Sequence, residues 1–394
     1  MNILYIWDAD YPWDVRVEKI CTTLKNNGHN VHIAARNLKK RKTNEIYNGL
    51  HIHRMSTWEN NKINYLLSFP LFFSPIWKSF LNEVISSNNI NLIIVRDLPM
   101  VIAGIVVGRK FGIPVIFDMA EDYVAMIRDI WNVRKFKGLN LIIRNPYLAK
   151  LVEYYALKNV DHILVVVKEA KEELERKFCD SENITIVSNT PELKNFNNVQ
   201  CKNDNNIELI KNRYSVIYTG GVQMGRGVQV VLEAIPKLKK DIPDFLLVIA
   251  GDGYAKEILD KIIEEKKLQK HVLWLGWIEH SKIYDYIRAS KIGLIPHLVT
   301  NHVNTTIPNK IFDYMGCGIP VIASDALPMK RVLQEEQCGL TFKSGNSESL
   351  VNAILDLSAA NNEYGKNGEK AVRYRYNWTE DEKRLCSVVN KFRN

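Results

Sequence analysis

One pattern constrains the fold more than any other: short apolar runs alternate with longer segments of helical periodicity along the 394-residue chain. This alternation is typical of parallel β-strands joined by crossover helices. In the first half, the predicted strands are Ile3–Trp7, Val31–Ala35, His51–Arg54, Leu92–Val95, Val115–Asp118, Ile163–Val167 and Thr185–Val187. In the second half, they are Ser215–Thr219, Phe245–Ala250, Val272–Leu275, Ile292–Ile295, Val321–Ala323 and Leu340–Phe342.

The pattern is interrupted by the polar, asparagine-rich segment Pro191–Asn206, whose composition is typical of a linker. A chain of this length also exceeds one ordinary core. We therefore predict an α/β protein with two Rossmann-like, doubly wound parallel-sheet domains, residues 1–195 and 196–375, which face each other across a cleft. Residues 376–394 are predicted to form an amphipathic C-terminal helix. In such sheets, ligands bind at the carboxyl ends of the strands.

The charge balance narrows the class of partner. Lys and Arg outnumber Asp and Glu by 53 to 44, a net charge of +9, which favours phosphates, nucleic acid or an anionic membrane, although a solvated surface accounts for much of the excess. We find no nucleic-acid-binding motif and predict no such partner. The six cysteines form no C-x-x-C pair, and the N-terminal residues lack the pattern of a signal peptide. These features predict a cytoplasmic protein.

Two segments raise the question of a membrane surface. Ile63–Trp77 is apolar and aromatic but contains Pro70 and Pro75, and it is shorter than the ~20 residues of a spanning helix. It is either an interfacial segment or a buried helix. Arg128–Arg144 interleaves basic and aromatic residues, which fits an anionic lipid surface, a phosphorylated acceptor or a mobile loop.

A glycine-rich turn follows the first strand of the second half. Thr219 is followed by Gly220 and Gly221, and Arg226 and Gly227 precede a helix. Glycines allow close backbone approach, a helix N-terminus offers free N–H groups, and Arg226 adds a cation. The turn therefore suits a diphosphate. Tight packing between strand and helix is the alternative interpretation.

A second motif lies in the segment Pro308–Ala323. Lys310 and Asp313 fall on one face of its predicted helix, which begins near Pro308 and ends at Gly316 and Gly318. A carboxylate at this position can accept hydrogen bonds from the vicinal hydroxyls of a ribose, and the ammonium can reach the phosphates. A surface ion pair is the alternative interpretation.

Together these motifs resemble those of the retaining glycosyltransferases of the GT-B fold, family 4. The matching positions are Gly28–Val31, Thr219–Gly221, Arg226–Gly227, Gly251–Gly253, Leu275–Trp277, Pro308–Ser324 and Asn377–Trp378. The resemblance covers essentially the whole chain. It implies that the first domain binds the acceptor, that the second binds a nucleotide-sugar donor, and that the C-terminal helix packs back on the first domain.

The resemblance also implies roles at the donor site. Asp313 corresponds to the acidic residue that holds the donor ribose, and Lys310 and Arg226 correspond to the diphosphate cations. Thr305 stands where the family has another acidic residue, and the backbone N–H groups of Thr305, Thr306 and Ile307 are the groups that could serve the sugar instead. The remaining donor-binding positions implied by the motifs are Gly220, Gly221 and Trp277.

In the first domain, Asp118 and Glu121 match the family's D-x-H-E motif, with Ala120 in place of the histidine. The implied catalytic set is Asp118, Glu121, Arg226 and Lys310. Helix capping is the alternative role for the two carboxylates. The predicted acceptor contacts at the strand ends are Asp14, Arg16, Arg96 and Asp97.

No metal site is predicted. Asp8-Ala9-Asp10 is a D-x-D pair at the end of the first strand and is interpreted as a chance occurrence, and His51 and His53 share a strand face without an evident third ligand.

The resemblance implies a retaining, metal-independent hexosyltransferase that moves a sugar from a UDP- or GDP-linked donor to a saccharide or lipid-linked acceptor, in cell-surface polysaccharide synthesis. Peripheral contact with an anionic membrane at the inner face is part of this expectation. The alternatives are a non-catalytic sugar-nucleotide or glycan-binding partner, suggested by Ala120 and Thr305, and a sugar-nucleotide epimerase of the same architecture.

Overall fold

The computed structural model describes residues 1–12, 14–133, 140–178, 182–197, 204–360 and 363–393. The chain forms two compact units. The first comprises Met1–Asn189 together with Asp381–Asn394, and the second comprises Thr190–Glu380.

The first unit contains an eight-stranded sheet in the order β3-β4-β2-β1-β5-β6-β7-β8. Its strands are β1 Asn2–Asp10, β2 Asn30–Arg36, β3 Asn44–Tyr47, β4 Leu50–Arg54, β5 Leu92–Arg96, β6 Val115–Met119, β7 His162–Val165 and β8 Ile184–Ile186. All neighbours are parallel except the antiparallel pair β3 and β4. Strand β3 is absent from our sequence-based assignment because its residues are mostly polar and lie at the exposed edge of the sheet.

The helices of the first unit lie between these strands. They are α1 Val15–Asn26, α2 Asn61–Leu67, α3 Pro75–Asn88, α4 Leu98–Phe111, α5 Tyr123–Val133, α6 Asn140–Ile143, α7 Pro146–Asn159 and α8 Lys168–Phe178. Helix α4 packs closely against the sheet, because a Cβ on Gly104 would lie 2.3 Å from Cγ2 of Val95. Helix α4 begins at Leu98, two residues after the end of β5.

The segment Ile63–Trp77, predicted as either an interfacial segment or a buried helix, has both buried and exposed apolar side chains. It includes most of α2 and the start of α3, and Trp77 is fully buried, with its Nε1 donating to the Ser68 carbonyl at 3.1 Å. Leu66 and Phe73 are exposed, at 64% and 72%. The segment is therefore anchored in the core at one end and apolar on its surface. Of the second candidate, residues 134–139 lie outside the described residues.

None of the helices in the described parts of the chain is long and apolar enough to cross a membrane.

The second unit contains a six-stranded, all-parallel sheet in the order β11-β10-β9-β12-β13-β14. Its strands are β9 Tyr214–Thr219, β10 Phe245–Ala250, β11 Val272–Gly276, β12 Ile292–Ile295, β13 Val321–Ser324 and β14 Gly339–Phe342. Each strand predicted for the second half is present.

The helices of the second unit are α9 Asn205–Lys211, α10 Val228–Asp241, α11 Lys256–Glu265, α12 His280–Ala289, α13 Lys310–Gly316, α14 Leu327–Glu335, α15 Ser347–Ala359, α16 Tyr364–Tyr374 and α17 Trp378–Asn390. Four 3-10 turns are also described, at Leu193–Phe196, Met224–Arg226, Gln269–His271 and Val303–Thr305. One large core cluster contains buried residues of β9, β10, α10 and α15, among them Val216, Ile249, Ile235 and Ile354.

Helix α17 begins in the second unit and continues in the first. Leu385 and Val389 are buried, and the Asp381 carboxylate accepts a hydrogen bond from the backbone N–H of Ser188 at 3.0 Å. The predicted return of the C-terminal helix to the first domain is confirmed, as is the prediction of two Rossmann-like parallel sheets.

The strand orders locate the switch points of both sheets. In the first unit, the chain leaves β1 in one direction along the sheet and β5 in the other. In the second unit, β9 and β12 stand in the same relation. The loops that follow these strands diverge and leave a crevice at the carboxyl edge, which is where open α/β sheets bind ligands.

Candidate functional sites at the strand ends

In the second unit, the glycine-rich turn is held by backbone hydrogen bonds from the neighbouring strand-end loops. Gly220 N–H donates to the Ala250 carbonyl at 2.9 Å, and Leu298 N–H donates to the Gly225 carbonyl at 3.0 Å. Gly227 has φ +75°, and a Cβ there would lie 1.7 Å from the Pro296 carbonyl oxygen. Tight packing therefore explains Gly227.

The first glycines of the turn are different. Gly220 has φ +106°, a conformation that L side chains rarely adopt, and a Cβ there would lie 3.3 Å from Lys310 Nζ. Gly221 is exposed, and a Cβ there would meet no atom within 4 Å. These two positions form an open backbone surface beside a cation.

Lys310 is the first residue of α13, and its Nζ lies 4.0 Å from the centroid of the Tyr218 ring. Burial, with the nearby Arg226 as the second cause, lowers the pKa of Lys310 to about 7 against the opposing effect of Asp313. The amine therefore lies where its positive charge is poorly solvated. An added anion would stabilise that charge.

Arg226 is exposed at the end of the turn, and its Nη1 lies 3.3 Å from Nδ1 and 3.5 Å from Nε2 of His297. His297 is almost fully buried. Burial, with Lys310 and then Arg226 as further causes, lowers its pKa well below the ordinary value. His297 is absent from our sequence-based candidates. Its position two residues after β12, at the switch point, is the signal that would have identified it.

Asp313 lies one turn after Lys310 on α13 and is partly buried. Burial, followed by the Asp313 charge, raises the pKa of Tyr284 on α12. The same helix is attached to β9 by the neighbouring Tyr314, whose hydroxyl accepts a hydrogen bond from the Thr219 backbone N–H at 2.9 Å. The structure thus holds Lys310 at the carboxyl end of β9, with Asp313 one turn further along α13.

The other predicted donor positions are placed as follows. Thr305 is buried at the end of a 3-10 turn, and its N–H donates to the His302 carbonyl at 3.2 Å, so that N–H is already satisfied. Thr306 follows in extended conformation and is partly buried. Trp277 is 84% exposed and follows β11, the edge strand, two strands away from β9.

In the first unit, Arg16 and Asp118 form a buried ion pair. Arg16 Nε donates to both oxygens of Asp118 at 3.0 Å, and Tyr5 donates to the same carboxylate at 2.7 Å. Arg16 also donates to the Val187 carbonyl at 2.9 Å. Arg16 is 1% exposed and Asp118 is 0% exposed. In this structure neither side chain reaches solvent.

Arg96 ends β5 at the switch point, and Asp97 follows it as the N-cap residue of α4. Arg96 pairs with Asp14, the N-cap residue of α1, and its guanidinium lies 4.3 Å from the centroid of the Trp7 ring. Asp97 is a non-glycine residue with φ +59°, and burial raises its pKa to about 8. Within the described residues, Asp97 Oδ1 and Trp7 Nε1 are buried without a hydrogen-bond partner. Trp7 is a further residue absent from the sequence-based candidates.

Glu121 follows β6 and is exposed. The capping role considered for Asp118 and Glu121 belongs to Asp122, whose carboxylate accepts from the Ala125 N–H at 2.8 Å.

In the described parts of the chain, no group of three or more His, Cys, Asp or Glu residues is arranged to hold a metal ion. This includes His51, His53 and the D-x-D pair. Asp10 accepts hydrogen bonds from the backbone N–H groups of Leu38 and Lys39 at 2.6 and 2.8 Å. His32 stacks on His51 and His53, with ring centroids 4.8 and 5.3 Å away. His32 Nδ1 lies 3.0 Å from His53 Nε2, so these ring nitrogens are paired with each other.

Two α/β units, each built on a largely parallel sheet, define the GT-B class of protein, together with a glycine-rich turn that carries Arg226 after β9 and the neighbouring Lys310 on α13. Family models agree with this assignment. "Glycosyltransferase Family 4" matches residues 14–193 and "Glycosyl transferases group 1" matches residues 200–377. The chain therefore belongs to the family that these two models describe, glycosyltransferase family 4 with its group 1 glycosyl transferase domain.

Curated relatives match over part of their length. An uncharacterized glycosyltransferase of Methanocaldococcus jannaschii is 21% identical over 66% of this chain and 65% of its own. Phosphatidyl-myo-inositol mannosyltransferase of Mycobacterium leprae is 26% identical over 39% of this chain and 40% of its own. The matches therefore span less than two thirds of these relatives.

Solved structures match the fold over nearly the whole chain. Sucrose-phosphate synthase from Thermosynechococcus elongatus has a TM-score of 0.78 at 17% identity, covering 99% of this chain and 98% of that one. Anabaena HepE in complex with UDP-glucose has a TM-score of 0.71 at 12% identity, covering 99% and 100%. A Listeria monocytogenes protein described as a UDP-N-acetylglucosamine 2-epimerase has a TM-score of 0.64 at 15% identity, covering 98% and 95%. These likenesses concern the fold alone.

Proposed function

We propose that the chain is a retaining, metal-independent hexosyltransferase that moves a sugar from a nucleoside diphosphate sugar to a saccharide or lipid-linked acceptor in cell-surface polysaccharide synthesis. One observation carries the proposal. The open backbone at Gly220 and Gly221 lies beside the amine of the partly buried Lys310, at the switch point of the second sheet. That arrangement offers an anion both backbone dipoles and a cation.

The donor diphosphate occupies this surface in our proposal. Burial is the first cause that lowers the pKa of Lys310 in the free protein, and the positive charge of Arg226 is the second. A diphosphate between Lys310 and Arg226 would stabilise both positive charges, and these two cations would bind the diphosphate. The Anabaena neighbour is described in complex with UDP and UDP-glucose, which supports a UDP-linked donor. GDP remains the second choice to test.

Asp313 binds the donor ribose in this proposal. The residue stands on the same helix as Lys310 and is partly buried beside Tyr284. A carboxylate accepts both hydrogen bonds of a vicinal diol, and such charge-assisted bonds are stronger than neutral ones. Loss of this carboxylate should therefore weaken every nucleotide that carries a ribose.

Catalysis rests on the departing nucleoside diphosphate. Negative charge develops on its phosphates as the glycosidic bond breaks, and Arg226 and Lys310 stabilise that charge. One preorganised donor of this kind contributes about 3 kcal/mol. Retention follows from attack on the same face of the sugar, with the leaving phosphate helping to deprotonate the acceptor. No protein base is required, which accommodates Ala120 in place of the family histidine.

The acceptor binds at the switch point of the first sheet. Asp97 Oδ1 and Trp7 Nε1 are buried polar atoms without partners, and such atoms cost free energy unless a ligand or water satisfies them. Asp97 also has a strained backbone, which is common at functional sites. We assign acceptor contact to Asp97, Arg96 and Asp14, and a supporting role beneath them to the buried pair Arg16 and Asp118.

The proposal also includes peripheral contact with a membrane surface. Leu66 and Phe73 are exposed apolar side chains on one surface segment, and Lys62 precedes them on α2. Aromatic and basic residues together favour an anionic interface. Relatives described as phosphatidylinositol-modifying transferases support a lipid-linked acceptor.

Calorimetric titration of UDP, GDP, ADP and dTDP, with and without magnesium, tests the donor site. We expect one nucleotide to bind at micromolar strength without metal, and to bind more than about tenfold more weakly to Asp313→Ala. Asp356→Ala, an exposed carboxylate on α15, is the matched control and should bind like the wild type. Equal binding by wild type and Asp313→Ala would remove Asp313 from the site.

A second assay separates transfer from the alternatives. Incubation with the nucleotide sugar alone should give slow hydrolysis and no isomer, since the proposal needs water or an acceptor to take the sugar. An isomerised donor would favour the epimerase, whose fold the Listeria neighbour shares. Tight binding with neither transfer nor hydrolysis would favour the non-catalytic partner.

A further inference from the structure

His297 has no role in the function proposed above, yet it contacts Arg226 and is affected by the charges of both cations of the donor site. Its side chain is 1% exposed. Both ring nitrogens lie within 3.5 Å of Arg226 Nη1, with Nδ1 the nearer at 3.3 Å. Lys310 and Arg226 are the charged groups that act on the ring.

The backbone fixes this contact. The loop that carries His297 is joined to the glycine-rich turn by the hydrogen bond from Leu298 N–H to the Gly225 carbonyl at 3.0 Å. On the other side of His297, the Pro296 carbonyl oxygen fills the space of a Cβ at Gly227. Arg226 and His297 are therefore held together by contacts on both sides of each residue.

The chemistry of the contact favours an uncharged ring. Arg226 Nη1 lies at nearly equal distances from both ring nitrogens, which places it against the face of the imidazole, where a protonated ring would repel it. Burial and two adjacent cations oppose protonation, and they lower the pKa of His297 well below its ordinary value. A neutral ring face orders the guanidinium and leaves its charge intact. A carboxylate at the same place would neutralise the charge that a phosphate needs.

We propose that His297 is a positioning residue of the donor site, which holds the Arg226 guanidinium beside the glycine-rich turn in a geometry ready for the donor diphosphate. The inference rests on the donor site proposed above. It extends that site, because it makes the diphosphate affinity depend on a side chain that touches neither phosphate nor sugar.

The test is a double-mutant cycle on nucleotide affinity. The probe is whichever of UDP, GDP, ADP and dTDP binds the wild-type protein, with the matching nucleoside as a second probe. His297→Leu removes the flat ring, and His297→Phe keeps a flat ring without a nitrogen. We expect the Leu variant to bind the diphosphate about tenfold more weakly, the Phe variant to recover most of that loss, and nucleoside binding to change little. In an Arg226→Ala background, His297→Leu should have no further effect.

The outcomes are distinct. Additive losses from Arg226→Ala and His297→Leu, or wild-type affinity in the Leu variant, would overturn the positioning role while the donor site stands. If none of UDP, GDP, ADP and dTDP binds the wild type, the donor site is refuted and this proposal with it. Thermal melting monitors folding. If the Leu variant melts early, His297→Val is measured in its place, with the same prediction.

Discussion

Lys310 provides the sharpest test of the donor site, because its charge in the free protein depends on its surroundings. Burial is the main reason that its pKa is lowered to about 7. A bound diphosphate favours the protonated amine and raises that pKa. Nucleotide binding should therefore take up a proton, and the affinity should fall as the pH rises above 7.

The magnitude follows from the pKa. With a value of about 7, about 0.9 of the Lys310 amines are neutral at pH 8, so binding there should take up close to ~0.9 proton. The dissociation constant should then rise about tenfold per pH unit between roughly pH 7.5 and 9. The phosphate itself titrates near pH ~6, below this window.

Calorimetry at pH 8 in buffers of different ionisation enthalpy measures the proton uptake directly. Lys310→Gln, which cannot titrate, is the control and should bind weakly with no uptake from this position. If the wild-type protein binds well without taking up a proton, and its affinity is flat across the window, then Lys310 is already charged in the free protein. The argument from burial would then be wrong.

Three further predictions concern stability. Asp118→Asn leaves the buried Arg16 without its counter-charge and should lower the unfolding free energy by about 3–5 kcal/mol, measured by urea denaturation. Burial lowers the pKa of His32 to about 4, so this histidine is protonated in the unfolded chain at a higher pH than in the folded protein. Up to about 3 kcal/mol of unfolding free energy should therefore be lost between roughly pH 6.5 and 4. His32→Gln should reduce that loss, and an unchanged dependence of stability on pH in this variant would contradict the reasoning. Gly227→Ala places a Cβ against the Pro296 carbonyl at a residue with positive φ, and it should lower the unfolding free energy, measured by thermal melting, by more than about 2 kcal/mol. Gly225→Ala, with open space around its Cβ, should lower it much less.

The two sheets could be predicted because buried parallel strands are continuous apolar runs, and the periodicity changes where a helix begins. Strand β3 could not, since it lies at an exposed edge and pairs through its backbone rather than by burying its side chains. The segment Ile63–Trp77 shows the same limit in another form. Hydropathy does not reveal that Trp77 is in the core while Phe73, four residues earlier, is exposed.

At the candidate sites, the sequence by itself determined which residues can carry charge at strand ends. Local spacing alone was enough to recognise the glycine-rich turn and to place Lys310 and Asp313 one turn apart on a helix. The sequence did not distinguish a glycine required by packing from a glycine that leaves the backbone open to a ligand. Gly227 is required by packing, whereas Gly221 is open to solvent, and only the neighbouring loop makes the difference.

The tertiary structure decided which of those charges are available. Arg16 and Asp118 are 102 residues apart and neutralise each other in the core, although each looks like a site residue in the sequence. His297 and Arg226 are 71 residues apart and meet because β9 and β12 are neighbours in the sheet. Burial and charge pairing are properties of the assembled fold. They depend on contacts between segments distant in sequence, which residue type and local spacing do not encode.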